Sequence, residues 1–322
     1  MMREAMTETS EQAPEPAEPL AELPRVDVVV ATRNRPELLK LALDAIWGQS
    51  YAGEIVCHVV FDQCDPDEGV ARTSANRTIR AMTNDRSPGL AGGRNTGILA
   101  GMGELVAFCD DDDEWLPTKI EKQAAALRES PAITSVTGII VLYAEHSVPR
   151  VPRAEDMTLK QLVRNRVMEA HPSTVMVRRD ALLGPIGLVD EELPGSYGED
   201  FDWIIRSAQA GGFAVVAEPL VKVRWGQSMF SQRWQTIVDS IDYSLAKHSV
   251  FHEDPQALGR LYGRRAFALA ALGQTRPALR QAVRTVRVNP RERRAYLAGA
   301  VALRLVSAER LMRVAHSRGH GI

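Results

Sequence analysis

Residues 108–115 read Phe108-Cys109-Asp110-Asp111-Asp112-Asp113-Glu114-Trp115. The four adjacent aspartates follow an apolar run, 105–108, with the composition of a buried strand. Carboxylates gathered there lose hydration and repel one another, so a positive partner is needed. Mg²⁺ and Mn²⁺ are the natural candidates, because hard cations favour carboxylate oxygens. Mg²⁺ sites in particular commonly combine one or two carboxylates with substrate phosphates. The cluster therefore suggests phosphate-handling chemistry. A helix N-terminus near Pro117 would also favour acidic residues, but capping uses one or two of them and not four.

The elements that must position this cluster alternate. Strands are expected at 26–31, 55–61, 79–82 and 105–108. One helix follows Pro36 with Leu39, Ala42, Leu43 and Ile46 on its apolar face, and another follows the glycines at 89–97. Such alternation predicts an α/β fold with a mostly parallel central sheet. Ligands of such sheets bind outside the carboxyl ends of the strands. Thr32, Asp62 and Asp110 all fall at such ends. Further strands are expected at 133–143, 173–177 and 213–217. Glu199-Asp200-Phe201-Asp202 should open a helix that Gly211-Gly212 terminates. From about residue 232 the pattern becomes helical, with helices at 262–271, 277–288 and 293–315.

The chain has 322 residues, 45% hydrophobic and 25% charged, with a formal net charge of -2. The expected organisation is an acidic, Pro-rich, disordered stretch at 1–24, an α/β domain at 25–230 and an Arg-rich helical region at 231–322. The first residues lack the positive n-region and apolar core of a secretory signal. No apolar run reaches membrane-spanning length. Cys57, Cys64 and Cys109 show no metal-ligand spacing, and thiols this few predict a reducing, cytoplasmic compartment. The C-terminal arginines, among them Arg260, Arg264, Arg276, Arg280, Arg284 and Arg287, can face solvent or seat the chain peripherally on the anionic inner face of a membrane. Aromatics are too sparse there for a nucleic-acid surface.

Taken in order, five motifs resemble the family 2 glycosyltransferases of the GT-A fold. They are Val28-Val29-Val30-Ala31-Thr32-Arg33-Asn34-Arg35, Val59-Val60-Phe61-Asp62, Gly89-Leu90-Ala91-Gly92-Gly93-Arg94-Asn95-Thr96-Gly97, the acidic cluster, and Gly198-Glu199-Asp200-Phe201-Asp202. The resemblance covers roughly residues 25–230. It implies a nucleotide-sugar donor, of UDP or dTDP type, and a hydroxyl acceptor that the sequence leaves unnamed. Ala31, Thr32, Arg33 and Asp62 match the positions that hold the base. An acid there suits the N3–H donor of uracil or thymine, and Asp62 can equally serve an Asx turn. Gln63 stands where the family often has a second acid. Arg94 and Asn95 match the pair near the phosphates and ribose. The family's Asp-x-Asp pattern falls on Asp110 and Asp112. On that match Asp112, supported by Asp113, holds a Mg²⁺ or Mn²⁺ ion, while Asp110 touches ribose or a metal-bound water and Asp111 is the variable position.

The resemblance also makes Asp200 the base that accepts the acceptor hydroxyl's proton, with Glu199 orienting it. Trp115 is expected to line the sugar pocket or to pack in the core. His171 is read first as a structural histidine and second as a contact to acceptor or phosphate. Trp225 stands where family members often carry a metal- or diphosphate-assisting histidine. Two other classes stay open. A sugar-phosphate nucleotidyltransferase would want a Gly-rich loop directly after the first strand, which Thr32-Arg33-Asn34-Arg35-Pro36 lacks. A non-catalytic nucleotide-sugar-binding protein would not need both the acidic cluster and Glu199-Asp200.

Overall fold

The computed structural model describes residues 23–143, 146–224 and 233–316. The N-terminal stretch up to residue 22 and Trp225 lie outside the described residues. The first half runs β1 (Val26–Thr32), α1 (Pro36–Trp47), β2 (Ile55–Phe61), β3 (Arg72–Thr73), β4 (Arg77–Thr83), α2 (Leu90–Ala100), β5 (Leu105–Asp110), β6 (Glu114–Trp115) and α3 (Lys119–Arg128). The middle adds β7 (Thr134–Tyr143), β8 (His146–Arg150), α4 (Leu159–Arg164), β9 (Val175–Arg178), α5 (Arg179–Leu183), α6 (Glu199–Ala210) and β10 (Phe213–Arg224). The last part is helical: α7 (Trp234–Lys247), α8 (Pro255–Ala271), α9 (Thr275–Val288), α10 (Arg293–Ala302) and α11 (Ala308–His316).

One sheet runs in the order β3-β4-β2-β1-β5-β9-β7-β10-β6, with β8 paired to β7. The parallel core expected from the sequence is present as β4-β2-β1-β5. β1 is buried along its whole length, as a central parallel strand with both faces covered must be. β9 enters antiparallel between β5 and β7, which makes the sheet mixed. β1 and β5 align with Ala31 opposite Asp110, so Thr32 and the start of the acidic cluster end on one rim.

The glycines ahead of and within α2 have a packing role. A Cβ at Gly97 would lie 2.5 Å from Val29 Cγ1, so only glycine lets the helix sit this close to β1. That close approach draws Arg94 and Asn95 down beside the sheet, where both are buried.

The C-terminal helices do not form a core of their own. Val163 of α4 and Ile205 of α6 belong to the same apolar cluster as Ile241, Phe251, Leu261 and Phe267. The helical region therefore closes over the side of the molecule that carries the start of α6. The expected single helix at 293–315 is two. Arg304, at φ 62, closes α10, and the Leu305 amide returns to the Ala300 carbonyl at 2.9 Å. This is a left-handed helix end built without glycine, so no residue in the sequence marked it. Among the described residues no helix is long and apolar enough to cross a membrane.

Candidate active site

The carboxyl ends of β1, β2 and β5 meet the N-terminal turns of α2 and α6. Thr32 Oγ1 donates to Asp111 Oδ2 at 2.7 Å. Arg35 donates to Asp111 at 3.1 Å and to Asp112 at 3.0 Å. Asp111 thus points into the protein and ties the cluster to the first strand's turn. Burial raises the pKa of both Asp111 and Asp112. Arg35, inconspicuous in the sequence beside Arg33, is the cation that faces them. Arg33 itself is exposed at the rim, and Ala31 is buried, with a Cβ at Gly93 only 3.1 Å from its own.

Asp62 organises the loop ahead of α2. Its Oδ1 accepts from Asn84 Nδ2 at 2.8 Å and from the Gly89 amide at 3.1 Å, and its Oδ2 accepts from Gln63 at 2.8 Å. Burial opposes ionisation, but these donors hold its pKa below the ordinary value. Oδ2 keeps room for a further donor.

Arg94 is the centre of the arrangement. It donates to Asp110 at 2.8 Å and to Glu199 at 2.5 Å, linking the acidic cluster to α6. Burial works against the Arg94 charge, yet Asp110 and Glu199 more than offset it. Burial raises Glu199 to about 7 even with Arg94 beside it. Asn95 turns the other way. Its amide donates to the Val189 carbonyl at 2.8 Å and to Glu191 at 2.6 Å, and accepts from the Val189 amide at 2.9 Å. It pins the 189–191 loop and is 1% exposed. Glu191 also accepts from Ser87 and Arg86. The sequence offered no signal for it, because the short acidic run Asp190-Glu191-Glu192 in a loop matches no motif.

Asp110, Asp113 and His171 bring ligand atoms within 4.8 Å of one another. His171 Nδ1 lies 3.4 Å from Asp113, and its Nε2 lies 3.7 Å from Asp110. Ser173 Oγ donates to Asp113 at 2.5 Å and accepts from the Asp110 amide at 2.9 Å. Burial pushes Asp113 up to about 7, with His171 opposing and Asp110 adding to the rise. Two crowded carboxylates with an imidazole alongside fit a divalent cation, and the nitrogen suits Mn²⁺ better than Mg²⁺. Asp112 instead faces Arg35. Trp115 is buried, donates to the Ser173 carbonyl at 3.0 Å and lies under Lys119 Nζ at 3.9 Å, which is a core position.

Asp200 sits in the first turn of α6, which starts after Gly198 at φ 85 and carries Glu199, Asp200 and Asp202 where the helix dipole favours acids. Glu199 faces Arg94, whereas Asp200 is half-buried on another side, 3.5 Å from Arg166. An oxygen of Asp200 caps its neighbour's amide, Phe201, at 2.8 Å. Capping and proton transfer use different lone pairs and are compatible.

Residues 27–183 match the profile of Glycosyl transferase family 2. The Escherichia coli protein named UDP-Glc:alpha-D-GlcNAc-diphosphoundecaprenol beta-1,3-glucosyltransferase WfgD is 21% identical over 140 residues, 44% of this chain and 55% of its own. The amylovoran biosynthesis glycosyltransferase AmsE of Erwinia amylovora is 26% identical over 218 residues, 65% of this chain and 79% of its own. The chain thus spans about half the length of the first of these relatives. Among solved structures, S. aureus TarS in complex with UDP-GlcNAc superposes with a TM-score of 0.59 at 16% identity, covering 92% of each chain. The mannosyltransferase PcManGT from Pyrobaculum calidifontis, with GDP-Man and Mn2+, gives 0.55 at 18% identity over 90% of this chain and 83% of that one. These likenesses bear out the GT-A fold.

Proposed function

The chain belongs to glycosyl transferase family 2 through residues 27–183, and from that premise we propose that it moves a sugar from a nucleoside-diphosphate donor to an acceptor hydroxyl with inversion. The observation that carries this reading is the Arg94 bridge. It puts the acidic cluster and the Glu199-Asp200 pair into one site. In the transfer, Asp200 accepts the acceptor's hydroxyl proton while that oxygen attacks the anomeric carbon. The bond from that carbon to the diphosphate breaks with inversion, and Arg94 faces the charge that develops on the leaving group. Asp110, Asp113 and His171 would hold a divalent ion, Mn²⁺ or Mg²⁺, with Asp112 next to them. Such an ion supplies charge neutralisation at the diphosphate.

Asp62, with its free lone pair, favours a base that carries an N3–H, hence UDP or dTDP donors. A protein similar in fold binds UDP-GlcNAc and another GDP-Man, so a panel of nucleotide sugars is the direct test. Incubation with each donor and Mn²⁺ should release nucleoside diphosphate for one of them, and chelation should suppress the release. No release from any donor would sink the reading. AmsE and WfgD, by their names, belong to polysaccharide or lipid-linked sugar synthesis, which supports an acceptor of that kind here.

We place the transferase unit at 25–230 and the helical extension at 231–322. We also place the protein in the cytoplasm, peripherally at the inner face of the membrane. Arg276, Arg280, Arg284 and Arg287 are exposed along α9, and Val283, Tyr296, Leu303 and Leu305 are exposed apolar neighbours. Arg260 is instead turned inward. Flotation with anionic vesicles should be lost in Arg276→Glu/Arg280→Glu; equal flotation would reject the membrane contact. Truncation is a poorer test, since α8 shares its core with α4 and α6.

A further inference from the structure

We infer that an arginine cluster beside Asp200 binds a phosphate-bearing part of the acceptor, an inference that rests on the glycosyltransferase reading for the word acceptor but not for the anion site. Arg260 and Arg264 come from α8, Arg294 from α10, and Arg166 from the loop after α4. Arg166 Nη2 lies 3.5 Å from Asp200. Arg264 donates to Tyr197 Oη at 2.6 Å. Arg260 donates to the Val163 carbonyl at 3.1 Å and covers the Phe201 ring at 5.1 Å. Tyr197 and Phe201 flank Glu199 and Asp200 in the chain, so the arginines grip both sides of the acidic pair.

The charges there do not balance. Among the described residues four guanidinium groups face two carboxylates, Asp200 and the Glu292 that pairs with Arg294 at 2.9 Å. Nearby Arg164 and Asp254 are bound to each other at 2.6 Å and contribute no net charge. Burial, then Arg264, Arg294 and Arg166, push Arg260 down to about 9. Among the described residues the buried Nε atoms of Arg260 and Arg294 have no hydrogen-bond partner, and Arg260 is only 9% exposed. Burying like charges and leaving guanidinium donors unpaired costs stability. Packing alone would be served better by apolar residues. An anion would supply the missing acceptors, and guanidinium forks match phosphate oxygens.

The position gives the anion its role. Glu199 faces Arg94 and the donor rim, whereas Asp200 faces Arg166. A hydroxyl delivered to Asp200 with a phosphate one sugar away would place that phosphate among the arginines. The same chemistry arises from the diphosphate of a lipid-linked sugar or from the phosphodiester of a polymer. Inorganic pyrophosphate, a short-chain prenyl diphosphate and a glycerol-phosphate oligomer separate these sources.

Calorimetric titration of the full chain with inorganic pyrophosphate, under chelation so that the metal site is empty, tests the site. Arg166→Gln removes an exposed group and should fold; it should weaken binding about tenfold, and Arg166→Gln/Arg264→Gln further. Arg153→Gln, in an exposed ion pair elsewhere, should leave binding unchanged. Tighter binding of the prenyl diphosphate identifies a lipid-linked acceptor, and tighter binding of the oligomer a polymer. Pyrophosphate binding that is absent, or equal in wild type and Arg166→Gln, overturns the inference. Donor hydrolysis by the wild-type chain tests the transferase reading separately.

Discussion

The Arg94 guanidinium lies 2.5 Å from the Glu199 carboxylate and is almost wholly buried with it. Through its other nitrogen Arg94 also holds Asp110, so one side chain joins the two acidic motifs. Breaking a buried pair leaves an uncompensated charge, at about 3–5 kcal/mol. Arg94→Gln should therefore lose roughly that much stability in a denaturant titration, and its transferase activity as well. Glu199→Gln should recover part of the loss when added to Arg94→Gln. Strict additivity of the two changes would mean that the pair is not coupled.

Asp200→Asn keeps the shape and the amide cap but removes the basic oxygen. Transfer should fall by about 10²–10⁴, while calorimetry should find donor affinity unchanged. Turnover at the wild-type rate would assign the base elsewhere.

The ion site discriminates between motif and geometry. The family pattern points to Asp112, whereas the structure groups Asp110 and Asp113 with His171 and pairs Asp112 with Arg35. Asp113→Asn and His171→Ala should each weaken Mn²⁺ binding more than Asp112→Asn does, as read by calorimetry or by the electron spin resonance of bound Mn²⁺. The reverse order would return the ion to Asp112 and make the Arg35 contact one that opens on binding.

Burial raises Asp113 and Glu199 to about 7, against roughly 4 in an unfolded chain. Between those values the folded protein holds protons that the unfolded chain releases, so metal-free stability should fall as pH rises from about 4.5 to 7. A metal ligand must be deprotonated, so Mn²⁺ affinity should climb by up to about tenfold per pH unit over the same window and level off above it. Thermal melts with and without Mn²⁺ should diverge with rising pH. Parallel curves would show that Asp113 does not titrate with the ion.

The sheet was legible because its strands are short apolar runs between turn residues. Thr32, Asp62 and Asp110 were legible because α/β topology sends strand ends to one rim. What the sequence concealed were partners set by tertiary approach. Asn95 reads like a phosphate contact until α2 is seen packed on β1, which turns its amide to Val189. His171 is distant from the aspartates in sequence and joins them only because β9 inserts between β5 and β7. The arginine-rich tail read as one basic surface, yet Arg260 and Arg264 face the α6 side while Arg276 and Arg280 face out. Periodicity assigns a helix face but does not say which neighbour covers it.

Asp202 shows how α6 is held so that Glu199 and Asp200 stay in place. It is 2% exposed and pairs with Arg206 at 2.8 Å, Lys247 at 2.7 Å and His248 at 2.7 Å. Burial opposes its charge, but His248, Arg206 and Lys247 hold its pKa far below the ordinary carboxylate value. Stability from this network is therefore present above about pH 4 and is lost only as pH falls toward the folded value. Asp202→Asn leaves Arg206 and Lys247 facing a neutral amide and should cost about 3–5 kcal/mol at neutral pH. Because Lys247 and His248 end α7, the change should also loosen the helical region against α6. Amide hydrogen exchange should accelerate at the start of α6 and at the end of α7 together. Faster exchange in α7 alone would mean that the network anchors only the C-terminal helices and that α6 is fixed by its apolar contacts.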